Sequence, residues 1–186
     1  MRKKVFNLNG LKRKAAYWVS RALPGFMPRE DGIIDPWEVM RSPRSVLICA
    51  PFTYEDFQRT LPFLNKLLDR FSKSSITVAV VKEHRWMLDM SLVNRLIMLT
   101  EEEHANFLKL PKKEFRDFLR RRRFDVAIDL NPSGTLFSSI LCAVSGAAVR
   151  VGFTGEDSDR FFNFQIQPLP ENDEAGRYRV LLNYIG

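Results

Sequence analysis

Residues 45–81 read SVLICAPFTYEDFQRTLPFLNKLLDRFSKSSITVAVV. Two unbroken apolar runs, 45–50 and 75–81, bracket a stretch in which Phe57, Leu61, Leu64, Leu67, Leu68 and Phe71 recur at helical spacing. Strand-length runs without polar alternation suit strands covered on both faces, the situation of a parallel sheet. The intervening helix is expected over 56–71, with Pro62 early in it. A strand, a helix and a second strand in that order form a parallel βαβ unit.

The alternation continues downstream. The sequence predicts a short helical or irregular piece over 85–92, a strand over 95–100, an amphipathic helix over 112–123 and a strand over 124–130 (FDVAIDL). An apolar helix over 133–145 closes at Gly146, and strands over 148–153 and 162–167 precede a last helix over 175–185. The fold class is therefore α/β, a Rossmann-like parallel sheet with helices on both faces. Upstream, 11–23 (LKRKAAYWVSRAL) is an amphipathic helix. Leu11, Ala15, Trp18, Val19, Ala22 and Leu23 share its apolar face, with Arg13, Lys14, Ser20 and Arg21 opposite. Pro24-Gly25 ends it, and the four prolines of 24–44 suggest an extended linker. The chain thus divides into an arm (1–28), a linker (29–44) and a domain (45–186).

The 186 residues suffice for one ordinary domain and an arm. A 45% hydrophobic content with 15 Phe and 3 Trp excludes disorder and small disulfide scaffolds. Lys and Arg outnumber Asp and Glu by 29 to 22, a formal net charge of +7. The arm holds Arg2, Lys3, Lys4, Lys12, Arg13, Lys14 and Arg21 and no acid, so the whole excess lies there and the domain is balanced. Cys49 and Cys142 sit in apolar runs and read as reduced core thiols. No run approaches the roughly 20 apolar residues that span a bilayer, and Lys12, Arg13 and Lys14 interrupt any signal-peptide core. The expected location is cytoplasmic, with the arm placing the protein peripherally on the inner face of the plasma membrane.

Several chemistries lack their residues. The sequence has no GxGxxG, no GxxxxGK[ST], no GxSxG and no Cys/His cluster; His84 and His104 are isolated. No metal or resident cofactor is expected. In parallel α/β sheets ligands bind beyond the carboxyl ends of the strands. Glu55 and Asp56 follow the first strand, where a carboxylate acts as a base or caps the helix. Asn131, Ser133 and Gly134 shape a turn that suits an anion at a helix N-terminus or an ordinary strand-to-helix connection. Lys82, His84 and Arg85 suit a phosphorylated or acidic ligand, or form a solvated loop. Asp129 ends an apolar strand, where it bonds local backbone, and Arg120–Arg123 suit a helix C-terminus.

Three strings carry a family resemblance: RSVLICAPFTYEDFQRTLPFLNKLLDRF (44–71), SSITVAVVKEHRWML (74–88) and FDVAIDLNPSGTLFSSILCAVSGAAVRVGF (124–153). In their order and spacing they resemble the N-terminal half of glycosyltransferase family 9, the family of the lipopolysaccharide heptosyltransferases. Asp56 precedes Thr60-Leu61-Pro62 at the family spacing, and Phe124-Asp125 to Asp129-Leu130 and Arg150-Val151-Gly152-Phe153 follow in order. The closing RYRVLLNYIG looks like the helix that ends the family's first domain.

The resemblance implies one half of a two-domain fold with its active site in the cleft between halves. It implies that this half meets a lipid-linked glycan acceptor while the other half binds the nucleotide-sugar donor. The residue at the Asp56 position acts in the family as general base for an inverting, metal-independent transfer. By the same implication Glu55, Lys82, His84, Arg85, Asn131, Ser133 and Gly134 line the acceptor side. The sequence departs from the family where Glu55 replaces a glycine, where Asp173 replaces a histidine, and in reaching Gly186 with no donor-binding half. It is therefore expected to be inactive alone.

The partners this suggests are a donor-binding domain or another envelope-assembly protein, a lipid-linked acceptor, and an anionic membrane surface. The membrane contact would be made by Lys12, Arg13, Lys14, Trp18 and Arg21. For the arm, packing against its own domain is the second reading and nucleic acid the least favoured. The alternative function is a non-catalytic Rossmann-like interaction module in which Asp56 only caps a helix.

Overall fold

The computed structural model describes residues 10–22, 24–28, 34–132, 134–167 and 174–185. Ser133, Asp173, residues 1–9, Leu23 and the first residues of the expected linker lie outside them.

Six parallel strands form one sheet in the order β3-β2-β1-β4-β5-β6. They are β1 (Ser45–Cys49), β2 (Ser75–Val81), β3 (Arg95–Leu99), β4 (Val126–Asp129), β5 (Val149–Phe153) and β6 (Phe164–Ile166). The helices are α1 (Gly10–Ala22), α2 (Pro36–Arg41), α3 (Tyr54–Arg70), α4 (Glu101–His104), α5 (Lys113–Arg122), α6 (Leu136–Val144) and α7 (Glu174–Ile185). One-turn and two-turn 3-10 segments cover Pro24–Phe26, Lys82–Met87 and Ser158–Arg160. This strand order reverses direction between β1 and β4, the Rossmann switch point. There Val46 stands against Ile76 on one side and Val126 on the other.

The unalternating apolar runs are explained by a core on each face. Val46 and Ile48 of β1 enter the core beneath α3 and α7, with Phe57, Leu64, Leu67, Leu68 and Tyr178. Leu47 and Cys49 enter the other, with Phe115 and Leu119 of α5 and Phe137, Ile140 and Leu141 of α6. Cys49 and Cys142 are buried and unbridged, their Sγ atoms 3.9 Å apart. Gly146 takes φ +74 just past α6, the left-handed stop that its position predicts.

The Arg150–Phe153 stretch is structural. Arg150 is 3% exposed, and its guanidinium donates to the carbonyls of Phe161 and Ala147 at 2.9 and 3.0 Å. Gly152 leaves room for the Phe162 ring, which would lie 2.5 Å from a Cβ at that position.

Two expectations need correction. The linker is not all extended: Asp35 caps α2 by accepting the Trp37 N–H at 2.9 Å, and Pro36 occupies the first helical position. Proline suits that position because its missing N–H has no helical partner there. Met40 of α2 is buried in the α3/α7 core.

The arm is packed against the domain. Ala16 and Ser20 are fully buried and Val19 rests on the core, while Leu11 is 84% and Trp18 66% exposed. The helical wheel placed Ser20 outside and Trp18 inside. Small side chains let the backbone come close, and the Ser20 hydroxyl is satisfied by donating to the Tyr17 carbonyl at 2.8 Å. Tyr17 donates to Asp157, and Arg21 lies 3.6 Å from the same carboxylate, fastening α1 to the loop after β5.

Candidate functional site

The carboxyl ends of β1 and β4 meet at the switch point, and two loops leave from there. The first, 50–53, leads into α3. Thr53 is the N-cap: its Oγ1 accepts the Asp56 N–H at 3.1 Å, and its hydroxyl donates to Asp56 Oδ2 at 2.7 Å. The one Thr53 hydroxyl thus caps the helix and holds the Asp56 carboxylate. Asp56 is half-buried, and among the described residues its Oδ1 accepts no hydrogen bond. Glu55 is exposed beside it on the first turn of α3.

The second loop, 130–135, is held to the first by Asn131, which is 4% exposed. Its Oδ1 accepts the Phe52 N–H at 3.0 Å, and its Nδ2 donates to the Ala50 carbonyl at 3.3 Å and to Asp129 Oδ1 at 2.7 Å. Asn131 therefore clamps the floor of the crevice and has no donor left over for a ligand. Asp129 also accepts the Asn131 N–H at 3.0 Å, the Ser138 hydroxyl at 2.7 Å and the Ser139 hydroxyl at 3.5 Å. Burial raises its pKa to about 6, although those hydrogen bonds favour the anion and oppose the rise.

Gly134 is exposed, with φ +56, and its N–H donates to the Asn131 carbonyl at 3.2 Å. Helix α6 begins later than the sequence suggests, because Thr135 is its N-cap and accepts the Ser138 N–H at 3.3 Å. The 131–134 turn precedes the helix and is not its first turn.

The segment after β2 flanks α3. His84 is 7% exposed, its ring 6.0 Å from that of Tyr54 and 5.2 Å from that of Phe57. Among the described residues Nδ1 is buried without a hydrogen-bond partner, and burial lowers the pKa. His84 thus packs inward against the first turn of α3, where the sequence suggested a ligand contact. Lys82 and Arg85 on either side of it are exposed. Of the expected acceptor residues, Glu55, Lys82, Arg85 and Gly134 are exposed, whereas Asn131 and His84 are buried.

Helix α7 adds two residues that sequence reasoning passed over. Arg177 donates to the Pro132 carbonyl at 2.8 Å, and the Tyr178 hydroxyl donates to the Leu130 carbonyl at 3.0 Å. Tyr178 is 2% exposed, stacked on Phe63 and edge-on to Phe153, and burial pushes its hydroxyl pKa up. Thr53 could have been found from its three-residue spacing to Asp56. Arg177 carries no such local signal, since its partner lies 45 residues away. Among the described residues no group of three His, Cys, Asp or Glu side chains is placed to hold a metal ion, and no helix is long and apolar enough to cross a membrane.

No protein-family model matches the sequence, and no curated protein sequence matches it. Solved structures do match the fold. A glycosyl transferase family 9 protein from Veillonella parvula superposes with a TM-score of 0.61 at 18% identity, over 79% of this chain and 42% of that one. The E. coli ADP-heptose lps heptosyltransferase II gives 0.53 at 21% identity, over 72% and 38%. E. coli heptosyltransferase WaaC with ADP-2-deoxy-2-fluoro heptose gives 0.55 at 21% identity, over 74% and 46%. The chain has the Rossmann-like fold found in these glycosyltransferases and spans less than half the length of each.

Proposed function

We propose that this domain is the acceptor-side half of a glycosyltransferase of the heptosyltransferase type, acting in lipopolysaccharide or other cell-envelope glycan assembly. The observation that carries the reading is Asp56, after β1 at the switch point, with Oδ2 held by Thr53 and Oδ1 accepting no hydrogen bond among the described residues. A carboxylate held in this way can take the proton of an acceptor hydroxyl as that oxygen attacks the anomeric carbon of a donor sugar. Exposed Lys82 and Arg85, which follow the neighbouring strand β2, favour an anionic acceptor. In the proposed reaction the nucleotide-sugar is held and oriented by a donor-binding half that closes over this one.

On this reading α1 meets an anionic bilayer through its outward face: Leu11 and Trp18 insert, and exposed Lys12 and Lys14 contact headgroups. Arg21 is partly committed to Asp157, so its contribution is smaller.

The decisive experiment combines the domain with a donor-binding half and measures sugar transfer. Asp56→Asn keeps an acceptor for the Thr53 hydroxyl, so the fold should survive while transfer falls by at least about 100-fold, the scale of a lost general base. Undiminished transfer in a folded Asp56→Asn protein refutes the assignment. The second reading, an interaction module, draws on the same Thr53–Asp56 pair: a carboxylate on the first turn of α3, bonded to the N-cap hydroxyl, is favourable to the helix without any chemistry.

A further inference from the structure

The two edges of the sheet are protected differently. Strand β6 is three residues long and lies beside an aromatic group in which Trp37, Phe164 and Tyr184 meet with ring centroids 5.3 to 6.1 Å apart. Short length and cover are ordinary ways of blunting an edge. Strand β3 is two residues longer. It pairs only with β2, and among the described residues no strand meets its outer side. Its sequence, RLIML, contains no proline, and its one charge, Arg95, is at the first position.

The surroundings of β3 are also unusually apolar. Trp86 is 72% exposed, Met90 42%, Met98 43% and Phe107 79%. All four lie on the stretch that carries β3 and its two flanking connections. Four exposed large apolar side chains within residues 86–107 make this region the natural one to test as an interaction site.

The charges select the occupant. Arg95 begins β3, and α4, immediately beyond its end, carries Glu101, Glu102 and Glu103. Glu102 and Glu103 are exposed. Glu101 is already paired with Lys109, so Glu102 and Glu103 are the acids this turn presents outward, and they disfavour an anionic bilayer here. An antiparallel pairing of two such edges about Ile97 places Arg95 of one copy opposite Leu99 of the other and diagonal to the start of its α4. Diagonal cross-strand neighbours are within reach of long side chains. The two-fold repeats the contact, so each cation meets the other copy's acidic turn, whereas a parallel stack would set like ends together.

We infer that the β3 edge is an isologous dimer interface, closed by a second copy of this chain in antiparallel register. The two six-stranded sheets then run on as one. Because the second sheet is inverted, the two switch-point crevices open in opposite directions and neither is covered.

The test is light scattering on the full chain across a micromolar concentration series, with circular dichroism of each variant as a check on folding. Wild-type protein should show the mass of a dimer. Met98→Glu and Arg95→Glu, both at exposed positions, should each give folded monomers. A charge swap makes the test specific. Arg95→Glu alone and Glu102→Lys/Glu103→Lys alone should be monomeric, since each homodimer would bring like charges together, while their mixture should form a heterodimer. A wild-type monomer at every concentration overturns the proposal. So does a dimer that Met98→Glu leaves intact, or a charge-swapped mixture that stays monomeric.

Discussion

Asp129 and Asn131 are joined twice, the main-chain N–H and the side-chain Nδ2 of Asn131 both donating to Asp129 Oδ1, at 3.0 and 2.7 Å. The carboxylate is 2% exposed at the base of the crevice, with its pKa raised from 3.8 to about 6. Between these values the folded protein holds a proton that the unfolded chain has released. The stabilisation this represents is complete below about pH 4 and is lost as pH rises through about 6. Two units correspond to about 3 kcal/mol. In Asp129→Asn the group cannot titrate, so urea midpoints measured from pH 4 to 7 should lose this decline. An identical decline in wild type and Asp129→Asn would show that another group causes it.

His84 acts in the opposite sense. Its pKa is lowered by burial, against Glu83 and Glu55, which face it and favour the charged form. The folded state therefore resists taking up the proton that the unfolded chain binds near 6.5, and stability falls as pH drops below that value. Protonation places a charge between Tyr54 and Phe57, and the loop it loosens is the one that carries Thr53. His84→Leu should remove the acid-side loss while keeping an apolar side chain against Tyr54 and Phe57. Hydrogen exchange of the 50–56 amides at pH 5 and 7 reads this locally; equal pH sensitivity in both proteins would assign the effect elsewhere.

The sheet was legible because covered strands have a strong signature, and 45–50 and 75–81 could not alternate without putting polar atoms in a core. The second helix was not. Its Pro36 looks like a breaker until Asp35 is read as the cap before it. The arm misled for a related reason: ranking side chains by hydrophobicity favours Trp18, whereas close packing favours Ala16 and Ser20. At the crevice, Asp56 was visible by spacing and resemblance. The clamp role of Asn131 was invisible, since its partners Phe52 and Ala50 are 79 and 81 residues distant. His84 was read by residue type, and only its burial between two rings turns it from a ligand contact into a support.

Gly152 owes its identity to the ring against it. A Cβ there would lie 2.5 Å from Phe162 Cε2, and Phe162 is itself 5% exposed, so the ring has little room to withdraw. Gly152→Ala should destabilise by about 1–3 kcal/mol, the usual cost of overpacking. Gly152→Ala combined with Phe162→Leu should recover part of it, because the two positions share one space. Strictly additive losses in chemical denaturation would contradict the contact.

The arm offers a separation of packing from surface function within one helix. Ala16 is fully buried and Trp18 is 66% exposed, two residues apart. Ala16→Phe has no space to enter and should cost about 1–3 kcal/mol of stability. Trp18→Ser should change stability by no more than about 0.5 kcal/mol, as surface substitutions do. Its effect belongs to lipid. If the outward face of α1 meets anionic bilayers, Leu11→Ser/Trp18→Ser should abolish sedimentation with vesicles containing phosphatidylglycerol. Wild-type binding should weaken as salt screens Lys12 and Lys14. Vesicle binding that survives the double substitution would remove α1 from the membrane and leave it as a strap across the loop held by Asp157.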